Sequence, residues 1–183
     1  MIRVPCRFDE WTEEEHMEQI QANALFSLFL TRAFLPSLRA TARARSALVV
    51  FIGSFSDETA MARIALYSAS KHFDRRVVFG LQADERFDTP DDKAISFMYV
   101  HLALVQTQMN PEPPNLIRPS AEAFARNLVG TFGCGRQIVV PYAGHYLLKL
   151  VMTSLPEFII TPMMHNATRE YLEKAAKKSK SQS

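Results

Sequence analysis

An unbroken apolar run, Ala47-Leu48-Val49-Val50-Phe51-Ile52, interrupts a mixed sequence and predicts a strand over 47–53 covered on both faces. Ile95 to Leu104 predicts a second buried strand, and the segment before it a helix that continues to about Phe87. Upstream, Thr12 before Glu13, Glu14 and Glu15 is a helix start. The Thr12 hydroxyl can accept from the third helical N–H, Glu15 can reach back, and the acidic turn suits the positive end of the helix dipole. That helix should run to about Pro36, which stops or kinks it, leaving Arg39 to Ser46 as a basic loop. Leu25, Phe26, Leu28, Phe29 and Leu30 surround its axis, so the helix is covered on more than one side. Further on, Ser120 caps a helix to about Val129, Ile138-Val139-Val140 reads as a short strand, and an amphipathic helix lies around Leu147 to Leu155. Strands alternating with helices predict an α/β fold with a parallel sheet and helical crossovers.

Within this pattern Tyr67 and Lys71 stand one helical turn apart on a shared face. A phenol titrates near ~10, and a neighbouring cation favours the phenolate, so the pair suits reversible proton donation to a carbonyl oxygen. Ser54 directly follows the first strand, where α/β enzymes place chemistry. Asn23 is a polar residue inside the apolar helical stretch Ile20 through Leu35, and Thr31 follows it on the same helix. Taken singly, each has an ordinary structural explanation: a helix–sheet contact for Asn23, a turn for Ser54, a solvated surface for Tyr67 and Lys71. Their order and spacing together favour a shared site.

The combination resembles the short-chain dehydrogenase/reductase family, whose active site is an Asn-Ser-Tyr-Lys tetrad. The family's helix pattern corresponds to Asn23, Thr31 and Leu35-Pro36, and its segment closing over the nicotinamide to Val105-Gln106-Thr107-Gln108-Met109. The C-terminal part, with Pro119-Ser120-Ala121-Glu122-Ala123-Phe124, Leu147-Leu148-Lys149-Leu150-Val151-Met152 and Arg169-Glu170-Tyr171-Leu172, is nearest to one branch. That branch holds very-long-chain 3-ketoacyl-CoA reductases and 17-beta-hydroxysteroid dehydrogenases. The resemblance implies a partial Rossmann-like sheet and NADP-dependent reduction of a ketone on a lipid-like substrate: a 3-ketoacyl-CoA, a steroid or a secondary-metabolite ketone. NAD stays open as the cofactor. Tyr67 would protonate the carbonyl oxygen, Ser54 would hold it, and Lys71 would lower the Tyr67 pKa and grip the nicotinamide ribose. Asn23 would fix a water linking Lys71 to solvent, and Val105 and Thr107 would contact the carboxamide. The implied setting is the endoplasmic reticulum membrane, with the cytoplasm as the alternative.

The resemblance runs from Trp11 to about Lys178 and corresponds to only the second part of a family member. Family enzymes open with a glycine-rich turn that holds the cofactor pyrophosphate at a helix N-terminus. The glycines here are Gly53, Gly80, Gly130, Gly133, Gly135 and Gly144, and none lies in an N-terminal strand-turn-helix setting. The family's Asn-Asn-Ala-Gly segment is also absent, and its post-strand Pro-Gly is replaced by Leu102-Ala103. The chain is therefore expected to be a truncated short-chain dehydrogenase/reductase domain over 1–183, missing its first strands and exposing an apolar strand edge at 47–52. The alternative is an inactive interaction or scaffold protein that dimerises with complete family members. Homo-oligomerisation is expected through the helices at 12–36 and 60–87.

Composition sharpens this reading little. A chain of 183 residues with a 48% apolar fraction suits one folded domain, and a net charge of +2 gives no reason to expect nucleic acid. Lysines gather at 174–180, in a basic tail over 174–183 expected to be solvated, with contact to anionic lipid as the smaller expectation. Cys6 and Cys134 lack paired spacing, and the histidines never fall into a His-x-x-x-His pattern, so neither a disulfide nor a metal is expected. The segment 137–165 is the most apolar, but Lys149, Glu157 and three prolines interrupt it. In the resembled branch it borders an elongated acyl or steroid pocket near the membrane, which allows peripheral membrane contact.

Overall fold

The computed structural model describes residues 6–59, 61–89 and 95–180. Three parallel strands, β1 (Leu48–Ile52), β2 (Ser96–Val100) and β3 (Ile138–Val139), form a sheet in the order β1-β2-β3. Parallel neighbours need long crossovers. Helix α3 (Ala65–Asp88) joins β1 to β2, and α4 (Ala121–Val129) lies between β2 and β3. β1 and β2 pair from Leu48 with Ser96 to Ile52 with Val100. The strands are shorter than the apolar runs that predicted them, although backbone bonds from Gly53 to Val100 and from His101 to Val139 continue past their ends.

Alternation along the strands builds two cores. Phe97 and Tyr99 join Phe51, Ala42 and Val78 on the face covered by α2 (Phe26–Ala44) and α3. Met98 and Val100 point the other way, against Phe124 of α4 and Val139. Helices on both faces of a parallel sheet are the doubly wound arrangement that the strand-helix alternation predicted.

The first helix differs from expectation. It starts as α1 (Glu13–Ile20), where Thr12 accepts from Glu15 N at 3.2 Å and Glu15 accepts from Thr12 N at 3.0 Å. A single π turn follows at Gln21–Leu25, and the helix then continues as α2 through Pro36 to Ala44. Pro36 is exposed, so water can serve the carbonyl that its missing N–H leaves free, and the ring neither ends the helix nor isolates a loop. Residues 39–44 are thus helix, where the sequence suggested a basic loop. Arg39 uses that geometry to pair with the buried Glu85 of α3. Toward the C-terminus come α5 (Ala143–Ser154) and α6 (Glu157–Lys180), the latter continuing through Pro162 and carrying helical backbone into the lysine cluster. Among the described residues no helix is long and apolar enough to cross a membrane.

β3 reaches only the end of β2, so the start of β2 lacks a ladder partner on that side. Gln82 of α3 replaces it. Its amide accepts from Phe97 N at 2.9 Å and donates to the Ile95 carbonyl at 3.2 Å, all buried. Gln82→Ala should lower unfolding stability by about 2–4 kcal/mol, since two buried backbone groups each lose a partner worth about 1–3 kcal/mol. Urea denaturation checks this, and Gln82→Glu should cost at least as much because one donor is lost beside the Ile95 carbonyl.

Candidate active site at the end of the first strand

β1 ends at Ile52 and delivers Gly53 and Ser54 to the rim of the sheet. Gly53 is required there because a Cβ would run into the Tyr99 ring. Gly53 N bonds to the Val100 carbonyl at 2.8 Å, and Phe55 N to that of Leu102 at 2.9 Å, which carries the β1–β2 pairing past the strand ends. The Ser54 side chain accepts from Ser56 N at 3.2 Å and from the Ser56 hydroxyl at 2.9 Å. The Tyr67 phenol lies near enough for the Ser54 hydroxyl to act on its ionisation.

Tyr67 and Lys71 lie on the first turns of α3, as their spacing predicted. The ammonium sits 6.0 Å from the Tyr67 ring centroid, donates to the Ile52 carbonyl at 3.0 Å and meets Asp74 at 3.4 Å. Burial pushes the Tyr67 phenol above its ordinary value, the Ser54 hydroxyl opposes this, and the Asp74 charge adds to the rise. The expectation that Lys71 lowers the Tyr67 pKa is therefore corrected: the ammonium is committed to Ile52 and Asp74 and leaves the phenol raised.

Asn23 occupies the π turn, half-buried, with its amide donating to the Gln19 carbonyl at 3.0 Å. It lines a cavity of about 280 Å³ along the free side of β1, together with Ser27, Thr31, Lys71 and Asp74. The structure thus brings Ser54 near Tyr67, and Asn23 and Lys71 to one cavity. Val105 and Thr107 are placed otherwise. Val105 packs on the Met98 and Val100 face, and Thr107 stands in an exposed turn, bonded to Asn110 at 3.0 and 3.1 Å. Leu102-Ala103 lack the backbone restraints of the Pro-Gly they replace.

Two groups escaped sequence reasoning. The Tyr99 hydroxyl accepts from Ser54 N at 3.3 Å and donates to the Lys71 carbonyl at 3.1 Å, tying the serine loop to the helix of the tyrosine and lysine. Its phenol is driven far up, by burial first and then by the charge of Asp57. Beside it, Asp57 Oδ1 meets His101 Nε2 at 2.7 Å, and Lys149 of α5 meets His101 Nδ1 at 2.9 Å. Glu58 pairs with Lys149 at 3.2 Å and with Arg75. Burial alone would raise the Asp57 carboxyl, but the hydrogen bond and charge of His101, with Arg75, hold it below its ordinary value. Asp57, Glu58 and His101 bring ligand-type atoms within 4.8 Å of one another, yet Arg75 and Lys149 already balance their charge. A signal for these groups existed in the sequence: Tyr99 and His101 are polar at alternate positions of a buried strand and so require partners.

A parallel sheet with helices on both faces and a serine–tyrosine pair at a strand end defines a Rossmann-like α/β domain of partial extent. Residues 2–115, more than half of the chain, match the family model described as short chain dehydrogenase. The chain belongs to that oxidoreductase family. It is 26% identical over 158 residues to putative steroid dehydrogenase 2 of Caenorhabditis elegans, covering 86% of this chain and 47% of that protein. It is also 26% identical over 157 residues to the very-long-chain 3-oxoacyl-CoA reductase of Kluyveromyces lactis, covering 81% of this chain and 44% of that one. The chain thus spans about half the length of these relatives. Among solved structures, a short chain dehydrogenase from Burkholderia cenocepacia in complex with NADP superposes with a TM-score of 0.65 at 20% identity, covering 82% of this chain and 60% of that one.

The raised phenols of Tyr67 and Tyr99 set an alkaline limit. In the unfolded chain they lose protons near ~10, while the folded chain retains them, so their stabilisation is complete below that pH and declines as pH rises above it. Denaturation midpoints followed from about pH 8 upward should show the decline. Tyr99→Phe should flatten it and cost about 1–3 kcal/mol at the lower end, where Ser54 N and the Lys71 carbonyl lose their partner.

Proposed function

We propose that the chain carries the proton-transfer half of an NADP-dependent reductase that acts on a ketone of a lipid-like substrate, with the dinucleotide-binding half in sequence beyond these residues. The neighbouring Ser54 and Tyr67 hydroxyls at the end of β1 carry the reading. A ketone oxygen bound there accepts from the serine hydroxyl and takes the Tyr67 proton as its negative charge develops. A protonated phenol is the form required for that step. The Lys71 ammonium uses two contacts, Ile52 and Asp74, and keeps one N–H that suits a ribose hydroxyl. NADP, when bound, supplies the hydride. Asn23 lines the cavity beside Lys71, where a water can connect the ammonium to solvent. Contact of Val105 and Thr107 with the nicotinamide rests on family likeness and would require residues 105–110 to move.

A lipid-like substrate is favoured by a second cavity of about 460 Å³, opening one residue beyond Ser54. Phe55, Met152, Leu155 and Ile160 give it apolar walls, and Lys149 and Glu58 also line it. The names of the two relatives point to acyl and steroid ketones. Tyr146, Leu147, Leu150 and Phe158 are exposed on α5 and α6, which favours contact with a membrane surface such as that of the endoplasmic reticulum.

With the dinucleotide-binding half of a relative joined to it, the protein should reduce members of a ketone panel using NADPH, and Tyr67→Phe should slow turnover by about 10²–10⁴-fold. Near-normal turnover of that variant would remove Tyr67 from the acid role. The 183-residue chain alone should give no NADPH fluorescence change, and binding in the micromolar range would show that it holds the cofactor without that half.

A second reading, an interaction protein that pairs with complete family members or with itself, is favoured by one observation. Phe26, Phe29, Leu30 and Phe34 form an exposed apolar stripe on α2, between 45% and 63% accessible. Light scattering should report a dimer that Phe29→Glu dissociates; a monomeric wild-type chain would remove this reading.

A further inference from the structure

Lys71 shares a face of α3 with Tyr67, its ammonium 6.0 Å from the phenol ring centroid, and the group that holds it is Asp74. Asp74 lies one turn further along α3 with its side chain 4% accessible. Ser27 of α2 donates to Asp74 Oδ1 at 2.7 Å, while Oδ2 faces the Lys71 ammonium at 3.4 Å. The carboxylate is thus fixed from a second helix, and the ammonium spans from it to the Ile52 carbonyl at 3.0 Å. Neither of these two bonds is to the Tyr67 hydroxyl.

We propose that Asp74 is a positioning residue that stations the Lys71 ammonium at the Ile52 carbonyl and so keeps the Tyr67 phenol in its neutral form. The inference rests on the reading of Tyr67 as the acid, and adds a direction to it. Proton donation to a ketone uses the neutral phenol, whereas removal of a proton from an alcohol needs the phenolate. A carboxylate that occupies the cation therefore favours the first form over the neutral pH range. The ionisable groups around Tyr67 among the described residues are few. On α3 they are Lys71 and Asp74, and β2 contributes Tyr99, whose hydroxyl is bound to the Lys71 carbonyl. α2 contributes the neutral Ser27, and β1 the Ile52 carbonyl.

The test is a tyrosine ¹³Cζ titration of the full 183-residue chain by NMR, with the Tyr67 signal assigned from Tyr67→Phe. Asp74→Asn keeps the shape and the Ser27 contact but removes the charge. It should give at least tenfold more Tyr67 phenolate at a given pH, about 1.4 kcal/mol by the linkage of pKa to free energy. Lys71→Met alone should leave the titration almost unmoved, while Lys71→Met added to Asp74→Asn should reverse most of the gain. That non-additivity separates repositioning of the ammonium from mere loss of a negative charge. An unchanged Tyr67 titration in Asp74→Asn, additive effects of the two substitutions, or a large rise in Lys71→Met alone would each overturn the proposal. Should Asp74→Asn fail to fold, Lys71→Met alone remains decisive. The measurement needs neither cofactor nor ketone, so a chimera inactive toward ketones would sink the reductase reading and leave this result standing.

Discussion

The Tyr99 hydroxyl is the contact on which the site depends. It binds one group from each of two segments far apart in sequence, the Ser54 amide and the Lys71 carbonyl, in a place with no water to replace it. Its ring fills the space that Gly53 leaves by having no side chain, so the glycine and the tyrosine are one structural decision made on two strands. The phenol also pins α3 to the sheet at the turn that carries Lys71.

Below this contact lies a layer of charge. Asp57, Glu58, His101, Arg75 and Lys149 belong to the loop after Ser54, the end of β2, α3 and α5, and their pairing draws these elements together. Buried ion pairs rarely add much net stability, because desolvation opposes their attraction. What they supply is geometry: a charge left without its partner in this layer costs several kcal/mol, so alternative packings of the loop are disfavoured. The floor of the Ser54 loop is held in this way, while the apolar cavity beside Phe55 stays open.

Much of this fold could be read in the chain because its signals are local. Thr12 and Glu15 close their capping box, Ser120 accepts from Ala123 N at 3.2 Å, and the run at 47–52 becomes β1. The helical spacing of Tyr67 and Lys71 was equally legible, as was the strand-end place of Ser54. The misreadings came where a local signal met a tertiary answer. Pro36 interrupts nothing since it faces solvent, and Arg39 to Ala44 stay helical where Arg39 finds Glu85 on another helix. The state of Lys71 was hidden for the same reason. Spacing tells that a lysine can approach a tyrosine, but not that Ser27, on a different helix, has placed a carboxylate to receive it.

The π turn explains how Ser27 comes to be there. One extra residue in a turn rotates everything that follows by roughly 100° about the helix axis, the angle of one residue at 3.6 per turn. At Gln21–Leu25 this extra residue bulges Asn23 toward the cavity and rephases α2, so that Ser27 faces α3 while Phe26 and Phe29 face outward. Asn23 and Ser27, four residues apart, share the face that lines the cavity, and the π turn resets the phase of α2 relative to α1. The place of Ser27 beside Asp74, and so the setting of the Lys71 ammonium, depends on helix phase as much as on neighbours in sequence.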